Sequence, residues 1–208
     1  LDNFNGYGGN NNQAENLVYI NDQLFQLEKR NEKLYIKTYG NTQKGSVKLK
    51  KGMQVVTQAA HDVNADILVL QMGSNGGWDS YDELISQYQA MIEKSGTQCY
   101  IIIGDTDNPT EAYDSEQYES DIEVGTKDNV WETALREAFG EHFINMRAFM
   151  IEYGLETAGL DPTEQDLDDL ANGRVPEQLK DDYTHFNSYG YYAMGAAVYQ
   201  KGVELGYW

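Results

Sequence analysis

At 208 residues the chain has the length of one domain, or of one domain with a small insertion. Hydrophobic residues make up 40% of it, enough for one ordinary core, and 16 Tyr add apolar area with polar tips. Thirty-four carboxylates against 15 bases give a net charge of −19, a surface that repels phosphate backbones and anionic headgroups and so argues against nucleic-acid and membrane partners.

The chain opens on a glycine- and asparagine-rich stretch over 1–16, a loop signal. Its first residues carry no basic charge and no apolar run, so no secretory signal is read there, and the missing initiator Met suggests a processed or partial N-terminus. The next segment, 17–63, reads as an insertion with a connecting helix. Short strands are expected at 34–39 and 46–50, separated by Gly40-Asn41 and Gly45. Met53, Val55, Val56, Ala59, Ala60 and Val63 then suggest a short helix.

From residue 64 the pattern sharpens. Residues 66–72 form a nearly continuous apolar run, as expected of a strand buried on both faces, and end in Gly73-Ser74-Asn75-Gly76-Gly77. A helix follows, opened by a Ser80/Glu83 capping-box pair and stopped by Gly96, with Leu84, Ile85, Tyr88, Met91 and Ile92 on one face. Residues 99–103 predict a second buried strand, with the single cysteine, Cys99, inside it. One cysteine permits no internal disulfide and no cysteine metal cluster. A helix around 130–139 leads to a third strand at 142–146, and a helix closes the chain from Ser188 to about Leu205. Strand alternating with helix predicts an α/β fold with a parallel sheet. No apolar stretch approaches the roughly 20 residues that span a bilayer.

Between Asp105 and Glu123 stand eight carboxylates and no base. Asp105, Asp107, Asn108 and Glu111 raise the thought of calcium, but the spacing is not that of an EF-hand loop, and a solvated acidic loop is the better reading.

Ligands of open α/β sheets bind beyond the carboxyl ends of the strands, which directs attention to the residues after each strand. Gly6-Tyr7-Gly8-Gly9 lies near the start, Gly73-Ser74-Asn75 follows a buried strand, and Asp182-Tyr183-Thr184-His185 precedes the last helix. Singly these are weak, since Asn75 suits any turn and His185 any polar surface. In this order they resemble three of the four sequence blocks of the SGNH/GDSL hydrolases. Gly73-Ser74-Asn75-Gly76-Gly77 is similar to a Gly-Thr-Asn-Gly-Gly form of the third block. The stretches from Phe139 to Pro176 and from His185 to Tyr191 are similar to bacterial and phage-associated members. The resemblance covers roughly 64–204, more weakly 5–12, and does not reach 17–63.

The resemblance implies a three-layer α/β/α sandwich of flavodoxin-like type with a parallel sheet, here carrying a small β insertion. It implies that His185 is the general base and that Asp182, rather than its neighbour Asp181, holds the imidazole. The Asn75 amide and the Gly9 N–H would donate to the oxyanion. It implies no metal or organic cofactor, and a small-molecule or glycan ester as substrate.

The family's nucleophile sits in a Gly-Asp-Ser block ahead of the Gly-x-Gly-Gly block, where this chain has only residues 1–5. Ser80, within Trp78-Asp79-Ser80, is better explained as a helix N-cap. Thr106, within Gly104-Asp105-Thr106, follows a strand but stands after the asparagine block. Three readings stay open. The serine lies upstream of Leu1, in a missing N-terminal segment; or the chain is a non-catalytic module for glycan binding or structure in a cell-surface or phage-tail assembly; or the nucleophile is unusual. The cell exterior or a virion is the expected location.

Overall fold

The computed structural model describes residues 16–31, 33–39, 48–62, 65–73, 76–104, 126–182 and 185–208. The chain divides into two compact units, residues 1–64 and 65–208. The expected 1–15 loop and the acidic segment 105–123 lie outside the described residues.

The first unit is an antiparallel sheet of order β3-β2-β1-β4, built from β1 (Asn16–Ile20), β2 (Gln23–Arg30), β3 (Lys33–Thr38) and β4 (Val56–Thr57). Asn16, expected as the last loop residue, opens β1. Asn21 and Asp22 both take positive φ, 49° and 58°, the conformation of the tight hairpin turn whose twist matches its strands. Val18, Ile20, Phe25 and Leu27 alternate onto one buried face, with Met53 and Val55 packed against them. The expected strand at 34–39 is β3. At 46–50 the described residues 48–50 form no strand. The helix expected from Met53 shrinks to α1 (Gln58–Asp62), because Val56 and Thr57 pair with Tyr19 and Val18 instead. β-branched residues suit that ladder better than a helical turn.

The second unit is mixed α/β around a three-stranded parallel sheet, β5 (Leu68–Leu70), β6 (Tyr100–Ile103) and β7 (Phe143–Ile144), in that order. Between β5 and β6 runs α2 (Tyr81–Ser95); between β6 and β7 runs α3 (Val130–Phe139). Three further helices follow: α4 (Met146–Ala158), α5 (Glu164–Ala171) and α6 (Ser188–Glu204). Alternate residues of β6 enter different cores. Ile101 and Ile103 join Met146, Met150, Ala193 and Ala197 of α4 and α6. Ile102 joins Leu84 and Tyr88 of α2 and Trp131 and Leu135 of α3. A strand with apolar residues on both faces is what helices on both sides demand.

Four expectations need correction. The strand at 66–72 is only Leu68–Leu70, and Val69 is 42% exposed, so it is not buried on both faces. Among the described residues β5 pairs with β6 alone, with Val69 opposite Ile101. Cys99 is half-buried and precedes β6. The third strand keeps two residues, since Gly140–His142 form a 3-10 turn and Asn145 becomes the N-cap of α4, accepting from Ala148 N at 2.9 Å. The capping box of α2 is half formed: Ser80 Oγ accepts from Glu83 N, while the Glu83 carboxylate accepts from Asp79 N rather than from Ser80.

Candidate active site

The position of the site follows from α6. Its C-terminal tail is pinned by Tyr207, whose hydroxyl accepts from Tyr100 N at 3.2 Å and lies 2.9 Å from His142 Nδ1. Tyr100 begins β6. A 17-residue helix spans about 25 Å and a four-residue strand only about 13 Å. Because Ala193 and Ala197 pack on the sheet, the first turn of α6 stands beyond the carboxyl ends of the strands. Residues 71–73 leave β5 at that same end.

Asp182 and His185 are brought together there. Asp182 Oδ1 accepts from His185 N at 2.7 Å, and His185 Nδ1 lies 3.0 and 2.9 Å from the two carboxylate oxygens. An ionised carboxylate at that distance selects the tautomer protonated on Nδ1, which leaves the basic lone pair on Nε2, across the ring. Both side chains face solvent, His185 at 65% and Asp182 at 48% exposure. Asp181 contributes its backbone instead, donating to His185 O at 2.8 Å.

The turn that carries the pair is closed from both sides. Lys180 and Phe186 form an antiparallel bridge. Asn187, the N-cap of α6, accepts from Tyr189 N and Gly190 N, and its amide donates to Gln178 O and Lys180 O at 2.8 and 3.0 Å. At Gly190 a Cβ would stand 2.2 Å from Leu179 O, so only glycine lets the helix approach this closely.

Two buried carboxylates of α5 brace the 3-10 turn Glu177–Leu179 that leads into the pair. Asp169 Oδ2 accepts from Glu177 N and Asp166 Oδ1 from Gln178 N, both at 3.0 Å. Burial alone would raise the Asp166 pKa, but hydrogen bonds from Thr163 and Gln178 outweigh it and hold the carboxyl below its ordinary value. Sequence reasoning missed these two residues, although Thr163-x-x-Asp166 is a capping signature.

Asn75 and Gly9 lie outside the described residues. The turn flanking Asn75 is nonetheless held firmly at its described ends. Tyr88 OH accepts from Met72 N and donates to Met72 O, at 2.8 and 2.6 Å. Trp78 Nε1 donates to Gly73 O, as does Gly76 N, at 2.9 and 2.8 Å. Gly73 has φ 120°, and a Cβ there would come within 2.7 Å of the Trp131 ring. Of the two decoys, Ser80 is the N-cap of α2, and Thr106 lies outside the described residues.

Comparison with known protein families, characterised proteins and solved structures returns no match.

Geometry alone therefore speaks for the chemistry. An Asp–His pair with a defined tautomer can take a proton at Nε2 and return it, the task of a general base in acyl transfer. A cavity of about 880 Å³ lies elsewhere, between Phe143 of β7, Phe149 of α4 and Lys201 of α6, and includes neither Asp182 nor His185. Its lining includes the Lys201–Glu204 ion pair at 2.6 Å but no histidine. Among the described residues no group of His, Cys, Asp or Glu has the arrangement to hold a metal ion. No helix of the described residues is long and apolar enough to cross a membrane.

Proposed function

We propose that this chain is the greater part of a serine-type ester hydrolase of the SGNH kind, an esterase or carbohydrate O-deacetylase. The observation that carries the proposal is the Asp182–His185 contact, through Nδ1, beyond the carboxyl ends of a parallel sheet. In this reading His185 Nε2 removes the proton from a serine hydroxyl as it attacks the acyl carbon, then delivers it to the departing alcohol. Water repeats the cycle on the acyl-enzyme. Asp182 holds the ring and stabilises its cationic form. Asn75 and the Gly9 N–H donate to the oxyanion, each donor contributing about 2.7–4 kcal/mol to the transition state.

The serine is assigned to a strand upstream of Leu1. Two features of β5 support that assignment. Among the described residues it has a partner on one side only, and Val69 stands exposed beside it. A parallel strand added there would pair the open edge, and the crossover chain that joins it to the sheet would cover the face that carries Val69; strands of parallel sheets are ordinarily covered. With that strand and helices on both faces, the second unit fits a three-layer α/β/α sandwich.

The test is p-nitrophenyl acetate turnover by the longer polypeptide that includes the upstream segment, against its His185→Ala variant. The expected result is a fall of several powers of ten; equal rates end the proposal. A fluorophosphonate probe should label the same polypeptide on a serine ahead of Leu1.

A second reading, a glycan-binding or structural module without catalysis, is favoured by the solvent exposure of several tyrosines on α6. A polypeptide that takes no fluorophosphonate label and turns over no ester would decide for it.

A further inference from the structure

The last helix presents an aromatic face that neither the core nor the Asp182–His185 pair uses. Tyr189, Tyr192, Tyr199 and Trp208 are 50%, 65%, 63% and 47% exposed. At 3.6 residues per turn, positions 189, 192, 199 and 203 fall within an arc of about 80°. The three tyrosines therefore line one side of α6 over about 15 Å, at 1.5 Å per residue. The row starts four residues after His185 and runs away from it.

Its far end is built rather than incidental. Trp208 folds back along the helix, and its Nε1 donates to Tyr199 O at 3.0 Å. The indole lies parallel to the Tyr199 ring, centroids 5.9 Å apart and planes 16° from parallel. Gly202 makes room for it, since a Cβ there would stand 2.1 Å from the indole. Tyr207 anchors the tail on β6 one residue earlier. The indole is thus held in place with half its surface still in water, an arrangement suited to receiving something on its face.

The geometry points to a platform for an extended, neutral oligosaccharide running along α6 from the Asp182–His185 pair to Trp208. Charge and side-chain chemistry select this occupant. None of positions 189, 192, 199 and 203 is charged, and the neighbouring Lys201 is paired with Glu204 at 2.6 Å. Anionic polymers and lipid headgroups find no cation among the described residues of that arc and meet a chain of net charge −19. A second copy would bring the same −19. A lipid surface calls for aliphatic bulk, and Val203 alone supplies it on this arc. Sugar rings combine apolar C–H faces with hydroxyls, which match the flat faces and polar tips of Tyr and Trp. A linear row also suits a chain of sugars better than a single ring. The inference deepens the carbohydrate-ester reading and rests on it for the direction of the chain, one end lying at the proposed catalytic pair.

Binding is measured without turnover. The intact protein is run by affinity electrophoresis in native gels containing hydroxyethylcellulose, acetylated glucomannan or glycol chitin, with sedimentation velocity in parallel. At least one polysaccharide should retard the protein. Tyr192→Ala/Tyr199→Ala should weaken that retardation at least tenfold, Tyr192→Phe/Tyr199→Phe should keep most of it, and Tyr191→Ala, off the arc, should leave it unchanged. Circular dichroism shows whether the variants fold. Retardation by none of the three, or retardation indifferent to loss of both rings, overturns the inference. So does a dimer that the alanine pair dissociates without any retardation, which would make the face a contact between copies. A polypeptide that binds glycan but hydrolyses no p-nitrophenyl acetate upholds the platform and removes the hydrolase; the converse removes the platform alone.

Discussion

Substituting Gly190 by alanine tests how the Asp182–His185 turn is held. The new Cβ would stand 2.2 Å from Leu179 O and 2.8 Å from Phe186 Cβ. Neither neighbour is the loose end of a side chain, so α6 must retreat by roughly 1 Å at its first turn, an overpacking that costs about 1–3 kcal/mol. That retreat pulls Asn187 from Gln178 O and Lys180 O, two bonds of about 1 kcal/mol each. Alanine's better helix propensity returns about 1 kcal/mol. The net loss is about 2–4 kcal/mol, which lowers Tm by roughly 5–15 °C in a domain of this size. At Gly195, in the same helix, a Cβ would meet nothing within 4 Å. There the same substitution should gain about 1 kcal/mol and raise Tm by about 2–4 °C. Thermal melts by circular dichroism of both variants give two shifts of opposite sign. Shifts of the same sign, or a Gly190→Ala melt within about 1 °C of the parent, refute the close approach of α6 to Leu179.

Three further outcomes are expected. Arg147 and Glu132 form a buried ion pair, with Nε–Oε1 at 2.8 Å and Nη2–Oε2 at 2.7 Å. Arg147→Met should cost about 3–5 kcal/mol in urea unfolding, because it strands a buried carboxylate, and pairing it with Glu132→Leu should recover much of that. Asp166 has its pKa lowered in the fold, so its contribution to stability is present above the unfolded-state pKa and is lost as pH falls through the folded value. Asp166→Asn should therefore lower Tm most at neutral pH, and the gap to the parent should close as the solution is acidified; a gap that widens in acid reverses the sign. Gly73→Ala places a Cβ 2.7 Å from Trp131 on a backbone of φ 120°. It should destabilise by about 2 kcal/mol and reduce ester turnover of the longer polypeptide beyond what the stability loss explains. Parent-like turnover in a folded variant would separate this turn from the chemistry.

The parallel core was legible in the sequence because the signals are local. Buried strands write themselves as continuous apolar runs, and α2 and α3 carry both an amphipathic stripe and a cap. The Asp182–His185 couple was legible for the same reason, being three residues apart in one turn. The hairpin turn at Asn21-Asp22 was readable too, but the mixed polarity of 17–49 hid its strands. Helix α4 was not readable, because its buried face carries Arg147 and Gly154 while Tyr153 stands exposed on the other, so polarity does not mark its period.

Local sequence thus decided which segments become strand or helix in the second unit, and which acid could meet which base. Tertiary structure decided what lies far apart in the chain: that β5 has one partner among the described residues, that Asp166 and Asp169 reach from α5 to the turn before the pair, and that Trp208 returns to stack on Tyr199. Those depend on distances closed by packing, where one missing Cβ, at Gly190 or Gly202, permits an approach that no pattern of polarity announces.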